Sequence, residues 1–292
     1  MKIKKGIMLH RQSFEDYELI KINSGVTHYT KQDTGKVIYE DLSFLPSYEE
    51  DAFTPKKNWR VLSAQEIKTL KSTDKRSDSN TIYIGDIPEN LKNSFQKLNL
   101  AQCKNRNDVF AKFKANPEAT LEINQATEEF LKSKADGKPF RFHYLGTNLP
   151  NLEVVACDTT VLPADHTEED KKYMGIHNDG TKFVSPHALY KSGNRLTINL
   201  GKETRSFLFI NLTMTQALNM LKQKIDTKKH PVDIINISKY FFEHFPDYPV
   251  IKIDQKPYQY YIAPTDNCFH DGSTLGMKGL DIIIVYFGAF RF

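Results

Sequence analysis

Two short stretches of this 292-residue chain hold the residue types from which a metal site is built. GIHNDG, residues 175–180, sets His177 and Asp179 two apart, and TDNCFHDGST, residues 265–274, places His270 much later between two strand-like runs. On a strand, residues i and i+2 project from the same face, so an imidazole and a carboxylate would enter one pocket. Taken alone, the first stretch also reads as a turn at Asn-Asp-Gly, and His270 as a turn histidine bonded by its neighbours. Together, in a strand-rich half of the chain, they supply two histidines and one carboxylate. Such a set covers one face of an octahedral Fe(II) and leaves three positions open, which suit a bidentate 2-oxo acid and dioxygen.

Other sets compete less well. His166 and Glu168 in PADHTEED form a second His-x-acid pair, but Pro163 and the acidic run read as a solvated loop. His187 follows Pro186 and reads as structural, while His143 in FRFHYLG could line a pocket. The His270-Asp271 doublet resembles that of phosphohydrolases, which need helices around it, whereas this one sits between strands. The three cysteines, Cys103, Cys157 and Cys268, are too far apart for a disulfide framework or a CxxC metal site. Cys157 and Cys268 read as small buried hydrophobes.

The elements that must position these residues change character along the chain. Residues 1–90 mix short strand-like pieces (YELIKI, KVIYEDL, TIYIGDI) with turns, and 72–80 is polar enough to be a surface loop. Residues 90–135 carry helical spacing in NLKNSFQKLNL, RNDVFAKFKA and ATLEINQATEEFLKSK. From about 140 the texture turns to strands: FRFHYLG, LEVVACDTTVL, RLTINLG, SFLFINL, PVIKID, YQYYIAP and LDIIIVYFGAF, interrupted by helices after 212 and near 234–245. RLTINL and RSFLFINL flank GKET, a hairpin signal. The last strand is apolar on both parities, so a layer must cover each of its faces. A β-sandwich or barrel with helices on its outer sheet fits this order. The absence of βαβα alternation, of GxGxxG and of a Walker loop argues against a Rossmann-type sheet.

Composition narrows the partners. Hydrophobic residues make up 39 % of the chain, enough for a globular core. Forty basic and 36 acidic residues are spread along its whole length, and the net charge of +4 makes no nucleic-acid face. The N-terminus has no apolar run of signal-peptide length, and no stretch reaches the ~18 apolar residues of a membrane span. The expectation is a cytoplasmic protein with no membrane and no nucleic-acid partner. Only eight of the forty basic residues are arginine, so an arginine inside an apolar strand needs a reason.

With these residues in place, the chain resembles the Fe(II)/2-oxoglutarate-dependent dioxygenases, whose fold is a double-stranded β-helix, or jelly roll. The resemblance rests on His177 and Asp179 in GIHNDG and His270 in TDNCFHDGST. The Asp-Asn pair before the distal histidine and the KFVSPHAL that follows GIHNDG are similar to the free amino-acid hydroxylase branch. The resemblance implies an α+β protein: a jelly-roll catalytic core over 141–292 with helices packed on its outer sheet, and residues 1–140 as an elaboration or lid. It implies Fe(II) held by His177, Asp179 and His270, with 2-oxoglutarate as co-substrate and dioxygen and a small polar metabolite as partners. It also demands a basic residue for the far carboxylate of 2-oxoglutarate. LDIIIVYF carries none. Arg195, which opens RLTINL, is the first candidate and Lys278 in the turn MKG the second, with Arg291 too near the chain end. The alternative is a jelly-roll small-ligand binder, or a cupin-like metal-dependent isomerase, using the same cavity without oxygen chemistry.

Overall fold

A strand rich in β-branched and aromatic residues on both parities is stable only between two layers, and the last strand of this chain sets that requirement. In the computed structural model, residues 2–11, 20–72, 79–163, 165–180 and 183–291 are described. The first part contributes β1 (Met8–Arg11), β2 (Lys21–Ile22), β3 (Val26–His28), β4 (Val37–Tyr39), β5 (Leu42–Phe44), β6 (Ser47–Pro55), β7 (Arg60–Val61), α1 (Ala64–Leu70) and β8 (Thr81–Asp86). Helices α2 (Glu89–Lys97), α3 (Arg106–Ala115) and α4 (Pro117–Ala135) follow. The remainder holds β9 (Phe140–Asn148), β10 (Lys172–Gly175), β11 (Asn194–Asn199), β12 (Arg205–Phe209), α5 (Met214–Leu221), α6 (Ile237–His244), β13 (Ile251–Gln255), β14 (Gln259–Ala263), β15 (His270–Ser273) and β16 (Asp281–Gly288).

Two sheets face each other. One is six-stranded, ordered β1-β8-β14-β11-β16-β9, and the other five-stranded, ordered β15-β12-β13-β2-β7. Leu9, Ile82, Ile84, Tyr261 and Ala263 of the first pack against Ile22, Phe207, Phe209, Ile251 and Ile253 of the second. The other parity of the six-stranded sheet, with Leu196, Ile198, Tyr260, Ile262, Ile284 and Tyr286, meets Leu91 and Phe95 of α2 and Phe130 and Leu131 of α4. β16 is therefore buried on both faces, as its composition requires. The helical spacing of 90–135 becomes α2, α3 and α4. Pro117 opens α4 in its first turn, where a missing N–H is harmless, and Asp136 and Gly137, at φ 49° and 72°, end it.

Three expectations change. GKET is not a hairpin: β11 goes to the six-stranded sheet between β14 and β16, and β12 to the five-stranded sheet between β13 and β15. The Asn199 side chain turns the chain across, accepting from Gly201 N and donating to the Glu203 and Gln255 carbonyls. LEVVACDTTVL joins neither sheet as a strand, because the N–H groups of Val155 and Ala156 bond the side chain of Asp271. YELIKI yields only β2, its first residues lying outside the described ones, as do 73–78 of the polar loop expected over 72–80. Strands β1 and β8 enter one sheet, and β2 and β7 the other.

The approach to the candidate site depends on one glycine. Gly175 has φ +73°, and a Cβ there would stand 2.4 Å from the Phe53 carbonyl oxygen on β6. Gly175→Ala is expected to cost about 2 kcal/mol or more and to lower the Tm by several degrees. Thermal unfolding checks this, and an unchanged Tm would show that β6 yields at Phe53.

Candidate metal centre

His177 lies just beyond β10 and opens no strand of its own. Its backbone N–H donates to the His270 carbonyl at 3.1 Å, and the His270 N–H donates back to His177 at 2.6 Å. This two-bond bridge sits at the free edge of β15, and it brings the two imidazoles together with ring centroids 4.7 Å apart and planes tilted by 45°. The Asp179 N–H donates to the Thr265 carbonyl at 3.2 Å, and the Asn178 side chain donates to the Ile234 carbonyl at 3.1 Å. Strand periodicity therefore does not align His177 with Asp179. Backbone bonds to the 265–270 segment do.

The result is a cluster in which one donor atom from each of His177, Asp179 and His270 lies within 4.8 Å of the others. The His270 Nε2 is 3.2 Å from Asp179 Oδ2, and the His177 Nε2 is 3.8 Å from Asp179 Oδ1. Each ring also has its Nδ1 beside the carbonyl two residues earlier: Gly175 at 2.9 Å for His177, Cys268 at 3.3 Å for His270. A carbonyl only accepts, so each Nδ1 carries a proton, and in the neutral ring the lone pair is left on Nε2. Both lone pairs thus belong to the atoms nearest the carboxylate, which is the donor set a divalent ion requires.

Arg195 closes the cluster on one side. Its guanidinium donates to Asp266 at 2.7 Å and to the Thr265 hydroxyl, and stands 3.0 Å from Asp179 Oδ2. Burial raises the Asp179 carboxyl, but His270, Arg195 and His177 outweigh it and hold it well below the usual carboxylate range. Burial lowers the His177 imidazole, but the nearby carboxylate of Asp271, the charge of Asp179 and the Gly175 carbonyl outweigh it and push it up to about 9. The Asp-Asn pair before His270 has structural employment. Asp266 holds Arg195, and Asn267 accepts from Met214 N and donates to the Ser79 carbonyl.

The remaining sequence candidates separate clearly. Lys278 stands exposed in the turn before β16, at the strand end remote from Arg195, where its N–H bonds Glu203. Along β16 that is roughly 20 Å from the residue facing Arg195. His166 caps its own turn at the Pro163 carbonyl, and His187 lies 3.1 Å from Lys222 Nζ. Burial raises the Cys157 and Cys268 thiols, so neither is a ready thiolate. Arg205 had no assigned part in the sequence. It is 2 % exposed on β12, 3.1 Å from Asp281 and 3.2 Å from Gln255 Oε1. Its guanidinium lies against Gly272, where a Cβ would come within 2.4 Å of it. The signal was present, since RSFLFI puts one of eight arginines at the head of an apolar strand.

No protein-family profile matches the sequence, and none of the curated proteins matches it. Among solved structures, the chain is similar to the Kdo hydroxylase KdoO, a non-heme Fe(II) alphaketoglutarate dependent dioxygenase in complex with cobalt(II). The likeness is distant, with 13 % identity, a TM-score of 0.34, and coverage of 73 % of this chain and 81 % of that one.

Because a metal must displace the proton that His177 holds up to about pH 9, affinity for a divalent ion is expected to rise from pH 6 to pH 9. The raised value also means that protonated His177 stabilises the metal-free fold fully below its ordinary value of 6.5, and that this contribution is gone above about 9. The increment in Tm on adding metal should therefore widen with pH. Calorimetric titration and thermal unfolding check both trends, and an affinity flat between pH 7 and 9 would remove His177 from the ligand set.

Proposed function

We propose that this chain is an Fe(II)- and 2-oxoglutarate-dependent dioxygenase that hydroxylates a small polar molecule, on a double-stranded β-helix core in 141–292 whose two sheets β1, β8, β2 and β7 extend. The observation that carries the reading is the His177, Asp179 and His270 cluster, with both Nε2 atoms beside one carboxylate. When bound, Fe(II) and 2-oxoglutarate supply oxygen activation coupled to decarboxylation to succinate. The chain's own contribution is to hold the donors and to keep the reacting volume dry. Arg195 keeps Asp179 ionised, while Phe207, Tyr261 and Cys268 wall the His270 side with apolar surface.

We place the anchor for the far carboxylate at Arg205 rather than at Arg195 or Lys278. A cation already paired with a metal-ligating carboxylate stands too close to the chelating end of a five-carbon diacid. Arg205 lies against Gly272, two residues and so roughly 7 Å along β15 from His270, which suits the length of the molecule. Tyr261 and Thr197, beside Arg205, complete a polar end for it. A free amino acid as substrate rests on the likeness of GIHNDG and TDNCFHDGST to that branch, and residues 1–140 are proposed as the elaboration that selects it.

His177→Ala and Asp179→Ala are expected to abolish Fe(II)-dependent succinate formation, and full activity in either would end the assignment. Anaerobic addition of Fe(II) and 2-oxoglutarate together should produce a visible absorption band that neither gives alone. Metal binding without that band favours the isomerase or binding-protein alternative. Arg205→Lys, which keeps the charge and loses the planar fork, should raise the half-saturating 2-oxoglutarate concentration about tenfold, or ~1.4 kcal/mol. A rise confined to Lys278→Ala would put the anchor on the turn instead.

A further inference from the structure

Asp271 follows His270 directly, yet its chemistry lies with the other histidine. The residue is 1 % exposed. One carboxylate oxygen, Oδ1, accepts three backbone N–H groups, from Val155 at 3.1 Å, Ala156 at 3.0 Å and Gly272 at 2.6 Å. The second oxygen, Oδ2, is fully enclosed and has no hydrogen-bond partner among the described residues. It stands 3.7 Å from Nδ1 of His177. A residue needed only to staple the 155–156 segment to β15 would be better served by asparagine, whose single carbonyl oxygen takes the same three bonds without burying a charge. The charge needs another reason, and the His177 ring nitrogen 3.7 Å from it supplies one.

We infer that Asp271 is the positioning residue of the metal centre: its buried charge, 3.7 Å behind the Nδ1 that the Gly175 carbonyl already engages at 2.9 Å, reinforces the Nδ1–H form and holds the orientation of His177, so that Nε2 is the donor. This rests on the metal reading above and adds a carboxylate behind one of its ligands, a role known to set ligand basicity at metal sites generally. Charge counting agrees. With neutral imidazoles, the carboxylates of Asp179, Asp266 and Asp271 against the single guanidinium of Arg195 leave two negative charges among the described residues around the cluster. A divalent cation cancels them. Without Asp271 the site would be left one charge short of that match.

The test is Co(II) titration of the full chain, followed by the visible spectrum of the bound ion and by thermal unfolding of the metal-free protein. Asp271→Asn preserves the acceptor for the three backbone bonds and removes the charge. It should unfold cooperatively, with a Co(II) dissociation constant raised about 10- to 100-fold and altered visible bands. A dissociation constant within twofold of wild type, with an unaltered spectrum, overturns the assignment. His177→Ala is run beside it: if wild type takes up no Co(II), or if His177→Ala binds as wild type does, the metal centre itself is wrong and the role of Asp271 falls with it. Should Asp271→Asn lack a cooperative transition, the Co(II)-loaded wild type decides by proton NMR. The paramagnetically shifted Nδ1 proton of His177, facing the buried carboxylate, should exchange with solvent more slowly than that of His270. Equal or faster exchange overturns the inference.

Discussion

His177 and His270 exchange both backbone hydrogen bonds across the edge of the five-stranded sheet, and the site is built around that exchange. The bridge brings two imidazoles from distant parts of the chain into ring contact. It also gives β15, an edge strand with one sheet neighbour, a partner on its open side. Asp179 and Arg195 take their places because the same 265–270 segment supplies Thr265 and Asp266. Once the edge is capped, the positions of the donor atoms are set by main chain rather than by long flexible side chains, which is the more rigid way to hold a ligand set.

Electrostatics then fixes what the cluster is in the absence of an ion. Asp179 is ionised and already paired with Arg195, so the carboxylate is oriented before any metal arrives. Burying that much charge is costly unless it is compensated, and the compensation here is local: Asp266 shares Arg195, and Asp281 takes up Arg205 deeper between the sheets. The two arginines therefore serve different neighbourhoods, one at the donor atoms and one further along β15.

Much of this was legible in the residue pattern, for identifiable reasons. The double-sided burial of LDIIIVYFGAF and the helical spacing of 90–135 report packing directly, and β16 with its helical backing follows. His177, Asp179 and His270 were recognisable because their residue types are rare neighbours in a strand-rich half. GKET misled because turn composition does not say which sheet the next strand joins, and here each strand's edges are taken by other partners. LEVVACDTTVL misled because its hydrogen bonds go to a side chain, Asp271, that no local pattern can reveal. Arg205 meets Gly272 only through the pairing of β12 with β15, a neighbourhood that the local pattern RSFLFI does not reveal.

The entry of early strands into both sheets bears on how the molecule comes together. Ile22 pairs with Ile251, and Ile84 with Tyr261, so contacts that seal the core join opposite ends of the chain. Such distant pairings form slowly, because loop closure must precede the burial that rewards it. The donor cluster, resting on the edge of one of those sheets, matures with both sheets and not as a local nucleus around an ion. A fragment beginning at residue 141 would present β13 and β14 with bare edges where β2 and β8 belong. Those two strands, IKIDQ and QYYIA, would then be templates for self-association.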